Sequence, residues 1–175
     1  MARAYALAAD ENGRFQEAAA GYEASLVSDP ADLQTIVNLL VLYWQAADQG
    51  VSISSPISPE FRAHAAKRLV ELLESANERF PDSAELSFWN KYIATARFGR
   101  PLEVSECRDL LRRHPYYLEP AFVVFSDSAG AEAEVEAMRL LADYSEQPTA
   151  RGRYVTSVIS RTLSKQRFSP KLNYT

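Results

Sequence analysis

The stretch GRFQEAAAGYEASLVSDP, residues 13–30, decides how this chain folds. Gly13 is expected to end one helix, because glycine takes the left-handed conformation that closes a helix at little cost. Ala18 and Tyr22 then lie one turn apart on one face of the next helix, with a small residue where a neighbouring helix comes close. Pro30 ends that helix, since proline lacks an N–H and disfavours helical backbone before it. The stretch therefore predicts two packed helices joined by a tight turn.

The same helical spacing continues along the rest of the chain. Apolar residues recur every three or four positions, which indicates amphipathic helices, and no segment alternates as a strand does. Residues that start or stop helices supply the bounds. Short connections favour antiparallel helical hairpins. The sequence thus predicts an all-α fold, with helices at 2–11, 14–28, 33–47, 59–79, 84–97, 102–113, 118–126, 129–144 and 149–166.

These patterns resemble the tetratricopeptide repeat, a helix–turn–helix unit of about 34 residues with the signature W-x2-L-G-x2-Y…A-x3-F…P. Ala18-x3-Tyr22…Pro30 matches the second half of that signature. The first half of the next unit is matched in residue size by Ile36, Leu39, Leu40 and Tyr43. The resemblance implies a right-handed solenoid of stacked helical hairpins, here over residues 1–126.

The repeat period is visible in the prolines that end helices, and it is interrupted once. Pro81 and Pro115 are 34 residues apart, whereas Pro30 and Pro81 are 51 apart. The extra length falls in an insertion near 48–58, rich in serine, of which 49–57 is predicted to be an exposed loop. Residues 127–168 are expected to form C-terminal capping helices, as repeat arrays require, and residues 169–175 a tail.

Composition excludes several classes of protein. The 175 residues suffice for one domain with a sizeable core. No apolar run is long enough to cross a membrane. Asp10 and Glu11 interrupt the N-terminal alanine-rich run too early for a secretory signal. We therefore expect a cytoplasmic chain without a membrane partner. The single cysteine, Cys107, excludes an internal disulfide and is expected to pack between helices.

Motifs that carry catalysis are missing from the sequence. His64 and His114 are 50 residues apart, and no histidine or cysteine pair has metal-ligand spacing. There is no glycine-rich phosphate loop and no nucleophile elbow. The carboxylates follow solvated helix surfaces. We expect no enzymatic activity, no metal and no cofactor.

The resemblance implies where a partner would bind. In tetratricopeptide repeats the first helix of each unit lines a concave groove that holds a peptide segment of another protein. Asn38 stands where such repeats often place an asparagine that holds a peptide backbone. The positions that face the groove on the best-matching helix are Gln34, Asn38, Val41 and Gln45.

Aromatic and basic residues supply further binding candidates. Trp44 directly follows Tyr43, and successive residues of a helix point in different directions, so the two rings cannot share one helix face. Trp44 is therefore a candidate for an exposed anchor. Phe88 and Tyr92 belong to a second aromatic cluster and are also candidate binding residues.

The C-terminal segment differs in charge from the rest of the chain. Residues 148–175 hold six basic residues and no acidic one, whereas the remainder holds 13 basic and 23 acidic residues. Arg161 and Lys165 could contact an acidic partner. The interpretation that we favour is that they belong to the solvated face of a capping helix. Nucleic acid is an unlikely partner because the whole chain is acidic.

The expected function is a non-catalytic protein–protein interaction module, a scaffold or adaptor that binds a peptide or protein segment in a helical groove. Two alternatives stay open from the sequence. One is a dedicated chaperone or immunity-type inhibitor of one protein, and the other is a scaffold that associates with itself through an uncapped N-terminal edge.

Overall fold

The regular secondary structure of the described part of the chain is entirely helical. The computed structural model describes residues 2–48, 57–99 and 102–168. No helix within these ranges combines the length and the hydropathy that a membrane span requires. The predicted all-α class is confirmed. The helices are α1 Ala2–Glu11, α2 Phe15–Ser28, α3 Leu33–Ala47, α4 Pro59–Arg79, α5 Ala84–Phe98, α6 Val104–Arg113, α7 Pro120–Asp127, α8 Glu134–Glu146 and α9 Ala150–Phe168.

The predicted bounds agree with these helices to within two residues, except at the start of α8. The prediction of helix from 129 is wrong, because the backbone there is a turn. Ala129, Gly130 and Ala133 have φ angles of 52°, 89° and 55°, and left-handed residues cannot continue a right-handed helix. The Gly130 N–H donates to the carbonyl of Phe125 at 2.7 Å and so closes α7. The alanine-rich composition of this stretch favours a helix, but the chain changes direction here, and the left-handed residues that make the turn are incompatible with a helix.

The predicted loop at 49–57 lies almost wholly outside the described residues and stays a prediction. The next described helix, α4, begins at a serine cap. The Ser58 hydroxyl accepts a hydrogen bond from the Phe61 N–H at 3.2 Å, and Pro59 occupies the first turn of α4. A serine cap with proline directly after it is a typical start for a helix. Ser83 caps α5 in the same way.

The chain divides into two compact units. Unit 1 comprises α1–α5 together with Gln147–Arg151, and unit 2 comprises α6–α8 with the rest of α9 from Gly152. In unit 1, α1 packs on α2, α2 on α3, α3 on α4, and α5 on both α3 and α4. In unit 2, α6 packs on α7 and α7 on α8. The predicted division into repeats over 1–126 and a cap over 127–168 follows the repeat pattern and stays a prediction.

Small residues bring α1 and α2 together. Ala6 and Ala18 are both fully buried. A Cβ atom added at Gly21 would lie 2.8 Å from the Cβ of Ala6, closer than such atoms pack, so glycine is required by the helix separation. Gly13 has a φ of 71° between the two helices, as the sequence predicts. The opening stretch therefore forms the close-packed hairpin expected of it.

A hydrogen-bonded network joins α2, α3 and α4. The Tyr43 hydroxyl and the Arg68 Nε each donate to the same carboxylate oxygen of Glu23 at 2.8 Å. Burial opposes the charge on Glu23, but these hydrogen bonds outweigh it and lower the pKa of Glu23. Burial raises the pKa of Tyr43, and its bond to Glu23 raises it further. The network fixes the rotation of three helices about their axes, because hydrogen bonds are directional.

Unit 2 buries polar groups of its own. Glu119 is 2% exposed and accepts hydrogen bonds from the hydroxyls of Tyr117 and Tyr144. The Phe122 ring meets the Tyr154 ring edge-on, with centroids 6.3 Å apart, which joins α7 to α9. Cys107 is fully buried, as the sequence predicts.

The helix crossing predicts a difference between two neighbouring alanines. Ala18→Leu should destabilise the protein by about 1–3 kcal/mol, because extra methylene groups overpack a filled interface. Ala20→Leu is the matched control, since Ala20 is exposed on the same helix, and it should shift the unfolding midpoint much less. Urea unfolding followed by circular dichroism measures both, and equal shifts for the two variants would contradict the packing described.

Two buried tyrosines predict a loss of stability in alkali. Burial raises the pKa of Tyr22, with the charge of Asp10 adding to it, and burial with Glu23 raises that of Tyr43. A tyrosine in the unfolded chain titrates at about pH 10. Above that pH the unfolded chain releases protons that the folded chain keeps, so stability falls as pH rises.

The urea midpoint should therefore decline above about pH 10, and Tyr43→Phe should make the decline shallower. Tyr116→Phe is the control, because Tyr116 is 99% exposed, and it should leave the slope unchanged. A slope that is the same in all three proteins would show that Tyr43 is not the titrating group.

Candidate functional site

A short segment at the start of α9 is held by three helices of unit 1. The segment Gln147–Arg151 packs in unit 1, although the chain on either side of it belongs to unit 2. Its last two residues, Ala150 and Arg151, are 0% and 4% exposed. We call the residues of α1, α3 and α5 that contact them the Arg151 site: Asp10, Gln34, Asn38, Gln45, Glu85 and Trp89.

The main chain of Ala150 is bound on both of its polar groups. Its N–H donates to the Asp10 carboxylate at 2.6 Å, and its carbonyl accepts from the Gln45 side-chain amide at 2.8 Å. The N–H groups of the first helical turn have no partner inside the helix, so the Asp10 carboxylate satisfies one of them at the positive end of α9. The site therefore contacts the main chain of the segment as well as a side chain.

The guanidinium of Arg151 is bound through both terminal nitrogens and one face. One nitrogen donates to the Glu85 carboxylate at 2.5 Å, and the other lies 3.5 Å from each of the amide oxygens of Gln34 and Asn38. The guanidinium carbon lies 5.9 Å from the centre of the Trp89 ring, a cation–π distance. Arginine suits such a site because its planar fork presents several donors in fixed directions.

Second contacts hold the binding groups in place. The Gln34 amide nitrogen donates to both oxygens of Glu85, at 3.1 and 3.2 Å. The Tyr22 hydroxyl donates to Asp10 at 3.0 Å. Burial, then the charge of Asp10, raises the pKa of Tyr22, so this hydroxyl stays a donor across the physiological range. Both carboxylates of the site are thus held by side chains of α2 and α3 as well as by the segment.

The structure brings three of the predicted binding residues together. Gln34, Asn38 and Gln45 all contact Ala150 or Arg151. Gln34 is exposed and Asn38 half-buried, whereas Gln45 is 5% exposed. The spacing of these residues on α3 places them on one face, as expected from the sequence. That face contacts a segment of the same chain.

The prediction that Trp44 is an exposed anchor is wrong. Trp44 is 2% exposed, and the Tyr92 ring meets it edge-on with centroids 5.9 Å apart. Val41 and Phe88 are also fully buried, so neither presents a side chain at the surface. The reason is that α3 packs against α2, α4 and α5 at once and has no broad solvent face. A periodicity argument that assumes one buried face fails for such a helix.

The remaining predicted candidates lie elsewhere. Tyr92 is half-buried and stacks near Phe88, with ring centroids 5.8 Å apart. Arg161 and Lys165 are exposed on the part of α9 that belongs to unit 2. They are separate from the Arg151 site, and their role as contacts for an acidic partner stays a prediction.

Four residues of the arrangement were not found from the sequence: Asp10, Glu85, Trp89 and Arg151. Asp10 carried a usable signal, because it lies four residues after Ala6 on the buried face of α1, where a carboxylate needs a partner. Arg151 carried none. Its partners Gln34 and Glu85 are 117 and 66 residues away in sequence, and no local pattern reports such pairings.

The described residues also form surface clefts outside the Arg151 site. One of about 330 Å³ in unit 1 is lined by Trp44, Ala47, Asp48, Ala96 and Arg97. Another of about 420 Å³ in unit 2 lies beside the ion pair between Arg108 and Glu132. Within the described ranges, no group of three or more histidine, cysteine or acidic side chains is arranged to hold a metal ion. Charged groups that line the second cleft pair with one another at the surface, Arg108 with Glu132 and Arg112 with Asp109.

No protein-family model, curated protein or solved structure matches this chain.

The buried ion pair predicts a large effect of a small change. Glu85→Gln removes the charge that faces Arg151, and breaking a buried pair in this way costs about 3–5 kcal/mol. Adding Arg151→Met should recover most of that loss, because no unpaired charge then stays buried. The two tryptophans of the sequence, Trp44 and Trp89, both lie in unit 1, so tryptophan fluorescence during urea unfolding reports on this unit.

An exposed pair of the same chemistry is the control. Arg108 and Glu132 form a two-point ion pair in unit 2, with side chains 42% and 50% exposed. Glu132→Gln should lower stability far less than Glu85→Gln does, because water solvates and screens exposed charges. Circular dichroism measures this variant, and comparable losses from the two substitutions would mean that Arg151 is not held by charge.

Proposed function

We propose that this chain is a non-catalytic protein-binding module, built as a tetratricopeptide-like right-handed solenoid, that holds a segment of another protein against the Arg151 site. The observation that carries the proposal is the grip on Ala150 and Arg151 by side chains from three separate helices. Such a site binds main chain and side chain together, which is what recognition of a polypeptide segment needs.

The order of packing in unit 1 supports the solenoid. Consecutive helices of unit 1 pack as neighbours, and α3 also packs on α5. In a helical-repeat array the first helices of successive units lie side by side and carry the ligand face. The Arg151 site draws its residues from α1, α3 and α5, of which α1 and α3 begin the packed helix pairs α1–α2 and α3–α4.

The chemistry of the site supports binding over catalysis. Its carboxylates and amides are engaged in hydrogen bonds and an ion pair, and they orient one another. Gln34 is exposed, so part of the site reaches the surface. Polar groups positioned in this way give specificity in a binding site, because a partner that leaves them unpaired loses affinity.

Affinity capture with variant baits tests the proposal. The baits are the wild-type chain, Arg151→Ala with and without Asn38→Ala, and the double variant Arg161→Glu with Lys165→Glu, and the captured protein is then titrated against each. In the Arg151→Ala bait the chain's own arginine no longer uses the Asn38 contact, so adding Asn38→Ala should weaken binding of the partner by about 3- to 10-fold. The double variant should bind as the wild type does, and affinity should change little between low and physiological salt.

Asn77→Ala is the matched control for loss of an amide, because Asn77 is exposed on α4, and it should bind as the wild type does. A partner whose binding falls steeply with salt and is lost in the double variant would place the binding surface on α9 instead. Exposed charges are screened over about 8 Å at physiological ionic strength, which is why salt separates the two surfaces.

A further inference from the structure

We propose that Ala150–Arg151 is an intramolecular ligand of the Arg151 site, and that the partner segment carries the same chemistry: a small residue and then an arginine. The inference rests on the proposed function and adds the class of partner to it. In this view the partner segment replaces the chain's own segment at the site.

The segment has the character of a ligand. In this part of the chain only the five residues Gln147–Arg151 belong to unit 1. The α8 helix before them and the chain from Gly152 after them belong to unit 2. Its contacts join residues far apart in sequence: Ala150 is 140 residues from Asp10 and 105 from Gln45. A short stretch held at a few anchor points by several helices is how a docked peptide is held.

The first position of the motif selects a small side chain. Ala150 is fully buried, and its N–H and carbonyl are both bound, at 2.6 and 2.8 Å. A larger side chain would have to push the main chain away from Asp10 and Gln45. Because protein interiors are close-packed, that displacement lowers affinity.

The second position selects arginine over lysine. One guanidinium nitrogen meets Glu85 while the other faces Gln34 and Asn38, and the guanidinium carbon lies over the Trp89 ring. A lysine ammonium is a compact point charge and cannot span these partners at once. The site therefore discriminates between two residues of equal charge.

The chain's own segment sets the affinity for an outside segment. A tethered ligand acts at an effective concentration on the order of millimolar. An outside peptide must compete with it, so the wild-type chain binds such a peptide more weakly than a chain whose own arginine is removed. This gives a direct measurement of whether the site is shared.

The test uses the peptide EQPTARGRYVT, residues 146–156, titrated by calorimetry against the full chain. Arg151→Ala should bind this peptide at least about tenfold more tightly than the wild type, because its own segment no longer fills the arginine position. Peptides that carry Arg151→Lys or Ala150→Leu should bind the Arg151→Ala chain at least about tenfold more weakly than the unsubstituted peptide does. Adding Glu85→Gln to Arg151→Ala should abolish the gain.

Controls separate this inference from loss of folding and from the proposed function. Arg139→Ala removes an exposed arginine on α8 and should bind the peptide no better than the wild type. If Arg151→Ala does not fold, Arg151→Lys keeps the charge and the stem, and it should show a smaller gain. Equal binding by the wild type and the Arg151 variants, or by the arginine and lysine peptides, overturns the inference. A captured partner that depends on Asn38 but lacks the motif overturns it too, while leaving the proposed function standing.

Discussion

A guanidinium buried in a protein needs an opposite charge and hydrogen bonds, because removing it from water otherwise costs several kcal/mol. Arg151, 4% exposed, imposes that constraint on unit 1. Its partner Glu85 comes from the first turn of α5, and the amides that face it come from α3. The positions of α3 and α5 are therefore tied to the segment that carries the arginine. The α1 helix is tied to the same segment through Asp10 and the main chain of Ala150.

Other carboxylates act in the same way at helix contacts. Glu23 of α2 accepts from Tyr43 of α3 and Arg68 of α4, and in unit 2 Glu119 accepts from Tyr144 of α8. Apolar burial drives the helices together but does not select one rotation or register, since it is not directional. Hydrogen bonds do select one, because a misaligned donor leaves a buried polar group unpaired. Small residues such as Ala6 and Gly21 then set how closely the helices approach.

The same arrangement connects structure with the proposed function. A helical hairpin offers little binding surface alone, whereas side chains from the first helices of successive hairpins can meet on one segment. In unit 1, side chains of α1, α3 and α5 meet at Ala150 and Arg151. The groups that contact the segment are two carboxylates, several amides and an indole face. The proposed function assigns these groups to binding of a polypeptide segment. Within the site, Tyr22 also holds Asp10 and Gln34 also holds Glu85, so each carboxylate has a partner besides the segment.

The sequence by itself determined the helical class, the bounds of almost every helix and the placing of Gln34, Asn38 and Gln45 on one face of α3. These features come from local rules: apolar periodicity, caps such as Ser58, and glycine or proline at helix ends. Local rules failed at 129–133, where the chain must turn against the preference of alanine for a helix.

Only the tertiary structure decided which faces are buried and what occupies the site. Trp44 is buried because α3 has neighbours on several sides, a fact about packing that no single helix records. Arg151 meets Glu85 and Gln34 across 66 and 117 residues. Local sequence carries propensity and periodicity, whereas an ion pair between distant segments depends on how the helices are arranged in space, and that arrangement exists only once the chain has folded.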